Sequence, residues 1–117
     1  MADLSHAVAF ITGDTLEQPF TETPINFALS GDNVVIAPVA SKAIYVYKYF
    51  LVVSAATNLT FKDNSTALTG PIPLAANEAM VFTFDTRPWF TTAQGDELLI
   101  NISTGVQVSG RIYYLQQ

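Results

Sequence analysis

The chain has 117 residues, no cysteine, five basic and ten acidic residues, and a formal net charge of −5. One domain with a real core fits that length, disulfide staples are excluded, and the scattered Lys42, Lys48, Lys62, Arg87 and Arg111 make no basic stripe for nucleic acid. Half the residues are hydrophobic and only 13% are charged, against about 25% in an average soluble domain, so apolar surface must be hidden in a membrane or against other chains.

Residues 1–30 have no sustained period. They hold two prolines and Val8, Phe10, Ile11, Phe20, Ile25 and Phe27. A disordered tail would be poor in such residues, and "FTETPINF" is extended, because a residue before proline avoids the helical region. We read 1–30 as an extended N-terminal arm of a strand or two, lying over its own domain or a neighbour. Phe10, Phe20 and Phe27 are its candidate contacts. The N-terminus carries Asp3 and lacks the basic region of a secretory signal.

From residue 31 strand follows strand. "NVVIAPV" (33–39) is stopped by Pro38. "KAIYVYKYFLVVSA" (42–55) is a long central strand, apolar or aromatic from Ile44 to Val53 except for Lys48. Strict alternation puts Ile44, Val46, Lys48, Phe50 and Val52 on one face and Tyr45, Tyr47, Tyr49, Leu51 and Val53 on the other. Tyr45, Tyr47 and Tyr49 then form a stripe suited to a partner that meets both ring and hydroxyl. The run is no membrane helix: Lys48 breaks it, its residue types favour strands, and a span needs about 20 apolar residues.

"NLTFKD" (58–63) alternates, with Leu59 and Phe61 together, and "DNST" (63–66) is turn chemistry. "TGPIPLAANE" (69–78) reads as a loop with one extended piece. "AMVFTFD" (79–85) puts Met80, Phe82 and Phe84 on one face. "ELLINIS" (97–103) aligns Leu98, Ile100 and Ile102. "TGVQVSGRIYYLQ" (104–116) aligns Val106, Val108, Ile112 and Tyr114, with Gly110 as a bulge or close-packing site. Short strands between turn signals, almost without helix signals, predict an all-β fold. It is a single antiparallel β-sandwich, jelly-roll-like, spanning 31–117 behind the arm.

Catalytic chemistry finds little to work with. His6 is the sole histidine, too few for a zinc site or a Ser–His–Asp base outside a nucleophile elbow. The carboxylates sit mostly in turns, and no Asp-x-Asp-x-Asp-Gly calcium loop occurs. The three Asn-x-Ser/Thr triplets at Asn58, Asn64 and Asn101 read as ordinary strand and turn polarity. We therefore expect no enzyme, cofactor or metal. "FDTRPWFTT" (84–92) has recognition character through Arg87, Trp89 and Phe90, since Trp and Arg are enriched at interface anchors. Trp89 is open to three readings: a plug of the sandwich core, an interface anchor, or a platform for a sugar.

The stretch "YFLVVSAATNLTFKDNSTALTGPIPLAANEAMVFTFDTRPWFTTAQGDELLINISTGVQVSGRIYY" resembles a family of small β-proteins among the structural proteins of tailed bacteriophages. The likeness spans roughly residues 42–114. It rests on "LVVSAATNLTFKD", "LTGPIPLAAN", "PWFTT" and "LINISTGVQVSGRIYY". Such proteins are similar to capsid decoration, or cement, proteins. The resemblance implies a homotrimer on the outside of the virion, made in the bacterial cytoplasm, that contacts the major capsid protein. It implies neither nucleic-acid nor membrane binding. A carbohydrate-binding or structural module of a tail fibre or baseplate, with Trp89 as platform, is the alternative.

Overall fold

A computed structural model describes residues 9–12, 16–83 and 86–117, with side chains from Phe20 onward. Twelve strands run in chain order: β1 Ala9–Thr12, β2 Leu16–Pro19, β3 Thr21–Phe27, β4 Gly31–Ile36, β5 Ile44–Val53, β6 Thr57–Asp63, β7 Thr66–Ala67, β8 Ile72–Leu74, β9 Ala79–Phe82, β10 Phe90–Thr91, β11 Leu98–Ile102 and β12 Val108–Gln116. β1 and β2 form an antiparallel hairpin that joins neither large sheet.

The first sheet has the order β3-β12-β5, with β9 and β10 end to end along the far side of β5. The second has the order β4-β11-β6, with β7 and β8 sharing the far side of β6. All pairs are antiparallel. The chain crosses between sheets from β3 through β4 and β5 to β6, and again from β8 to β9 and from β10 through β11 to β12. That order is a double-sheet jelly roll, as the residue pattern predicts.

The alternating residues of β6 and β11 explain the packing between the sheets. Leu59 and Phe61 meet Ile100, Ile102 and Leu98 from one side, and Tyr49, Leu51, Val53, Val108 and Ile112 from the other, all essentially sealed from solvent. At the β6–β7 turn Asn64 takes a φ of 53°, a left-handed conformation that Asn tolerates. Gly110 is a close-packing site: a Cβ there would lie 1.9 Å from the Phe50 carbonyl oxygen. β12 and β5 could not keep this approach with any other residue.

Two bulges change the expected faces. Tyr113 pairs with Lys48 but Tyr114 pairs with Val46, so Tyr47 is an extra residue on β5. Tyr49, Leu51 and Val53 point into the core, and past the bulge so do Val46 and Ile44. The strict alternation expected for β5 is therefore corrected. Likewise Leu98 pairs with Ile36 and Leu99 with Val34, leaving Val35 over on β4. A bulge inserts one unpaired residue and re-aims its neighbours.

The boundary at residue 30 also needs correction. β3 is an edge strand of the first sheet, paired with β12 from Thr21 to Phe27. Ile25 lies in the core and Phe27 packs against it. Pro24 is tolerated because an edge strand has one side with no partner for an N–H. The sandwich thus begins near Phe20, and only the segment before it is free to act as an arm.

Candidate interaction surface

The outer face of the first sheet answers what covers the second side of β5. Beyond the bulge, Tyr47 turns outward and is buried beneath Phe20, whose ring stacks on it at 4.9 Å. Leu115 completes this small cluster, with Tyr45 and Tyr113 half-buried around it. Lys48 lies over the Tyr113 ring at 5.0 Å, a cation–π contact. One row further, Arg111 Nε donates to Glu22 Oε1 at 2.6 Å.

Cover stops there. Phe50 and Val81 are cross-strand partners on this face and remain 43% and 64% exposed. Val52, next to them, is also exposed. Three neighbouring aromatic and β-branched side chains on β5 and the flanking β9 are therefore exposed.

The outer face of the second sheet is built differently. Asp32 accepts from Lys62 Nζ at 3.1 Å and from Asn101 Nδ2 at 2.7 Å across three strands. The Asn101 hydrogen bond, then the Lys62 ammonium, hold the Asp32 carboxyl below its ordinary value. Leu99 is buried beside this network. Apolar exposure on this side sits at the β4 edge, where Val34 is exposed between Leu29 and Val39 in the flanking loops.

The sequence-derived site residues separate into different environments. Tyr45 and Tyr47 share the outer face, whereas Tyr49 is 1% exposed in the core. The expected stripe of three is therefore split, because the bulge at Tyr47 shifts the phase of β5 so that Tyr45 and Tyr47 face outward and Tyr49 inward. Tyr49 stacks on Phe82 at 4.9 Å and meets Phe61 at 5.0 Å. Its hydroxyl is buried with no hydrogen-bond partner, and burial pushes its pKa well up. Phe90, stacked on Phe61 at 4.6 Å, belongs to the same aromatic group. Trp89 packs edge-on against Phe82 at 4.6 Å, and its indole N–H donates to the Thr83 carbonyl at 3.0 Å. It both caps the aromatic group and stays 43% exposed. Arg87 is exposed in the same loop. Phe20 is an outer-face contact and Phe27 a core contact. His6 and the Phe10 side chain lie outside the described residues.

Sequence reasoning missed Phe50, Val52 and Val81 as exposed residues. Val81 was legible as the residue between Met80 and Phe82 that must point outward. Phe50 and Val52 needed the inward phase of Tyr49 to be known.

Among the described residues no three metal-ligating side chains cluster. A cleft of about 320 Å³ at one end of the sandwich is lined by Thr57, Asn58, Ser103 and Thr104. Thr57 Oγ1 is already engaged there with Thr104, so the lining holds itself together. At the opposite end Asp63 Oδ2 accepts from the Ala93 N–H at 2.9 Å, while Oδ1 is buried without a donor. Asp96 lies beside it, and a proton on Asp96 would supply that donor. This, with the nearby negative charge of Asp63 and Glu97, raises the Asp96 pKa. No family model matches the chain, and neither a curated protein nor a solved structure matches it.

Proposed function

We propose that this chain is a structural virion protein of a tailed phage, a head decoration protein that binds the outside of the capsid and strengthens the contacts between capsomers. The observation that carries the reading is the contrast between its two outer faces. One is a hydrogen-bonded polar network around Asp32. The other leaves Phe50, Val52 and Val81 open to water. A chain with so little charge and one apolar face is suited to life inside an assembly, where that face meets protein. Fold-level analogy points the same way, since jelly rolls recur in viral capsid and lectin domains. The chain acts as a homotrimer, touches the major capsid protein and performs no catalysis.

The test is to add the purified protein to heads lacking any decoration protein. Cosedimentation with the heads, and a higher temperature of head disruption, are the expected results. Failure to bind heads, together with binding to a glycan array that Trp89→Ala abolishes, would move the protein to a tail fibre or baseplate.

A further inference from the structure

We draw no further inference here: the strongest candidate, the exposed apolar patch of Phe50, Val52 and Val81 on β5 and β9 at the outer face of the first sheet, carries nothing because nothing in the structure shows what covers it.

Discussion

Tyr49→Phe removes one oxygen from the middle of the sandwich. Tyr49 is 1% exposed, and its hydroxyl has no hydrogen-bond partner. An unsatisfied buried polar group costs about 1–3 kcal/mol. The phenyl ring keeps its stacks on Phe82 and Phe61. The void left by one oxygen costs on the order of a few tenths of a kcal/mol, at ~24 cal/mol per Å³. The net expectation is a gain of about 1–2 kcal/mol, or roughly 4–8 °C in Tm for a domain of this size. Urea unfolding by tryptophan fluorescence and calorimetry, at one fixed protein concentration, measures it. Burial raises the Tyr49 pKa, so above the unfolded value of about 10 the unfolded chain ionises while the folded one does not, and the parent loses stability as pH rises. The advantage of phenylalanine should therefore widen in alkali. A loss of stability in Tyr49→Phe would refute the reasoning, because it would mean that the hydroxyl has a partner in the assembled protein.

Gly110→Ala should cost more than about 3 kcal/mol, an overpacking effect, because its Cβ would meet the Phe50 carbonyl oxygen and the Leu51 Cα on the next strand; equilibrium unfolding or loss of soluble protein reads it. Asp96→Asn should raise Tm at neutral pH, since its amide can donate to Asp63. The Asp96 pKa is raised, so the parent recovers the same relief as it protonates, and the difference in Tm should shrink as pH falls towards 3.8 and below. Removing residues 2–19 should leave the circular dichroism of the sandwich, whereas removing 2–24 cuts into β3 and should cost several kcal/mol through lost pairing with β12.

Much of the jelly roll was legible because β6, β9, β11 and β12 keep a period of two. Leu59 with Phe61, Met80 with Phe82, and Leu98 with Ile100 and Ile102 all reach the core as their spacing predicts. β3 was harder to read. Pro24 and the polar residues around it look like an arm, and only pairing with a strand more than 80 residues away makes them a sheet edge. The interaction surface was legible in kind but not in place. Low charge and high apolar content imply exposed apolar area, yet its position depends on which way Tyr49 and Phe50 face. A bulge decides that, and a bulge leaves no mark in a run where every residue but Lys48 is apolar or aromatic.

The bulge at Tyr47 also makes the central strand divisible. Ten residues of β5 face nine of β12. Removing Tyr47 would join Val46 directly to Lys48 and leave Ile44, Val46, Tyr49, Leu51 and Val53 pointing inward as before, now in unbroken alternation. A deletion in the middle of a core strand normally turns half of its side chains inside out. Here it would be phase-neutral, and would take away the ring on which Phe20 lies and around which Leu115, Tyr45 and Tyr113 gather. The interior and the outer cover of this sandwich can therefore vary independently of one another.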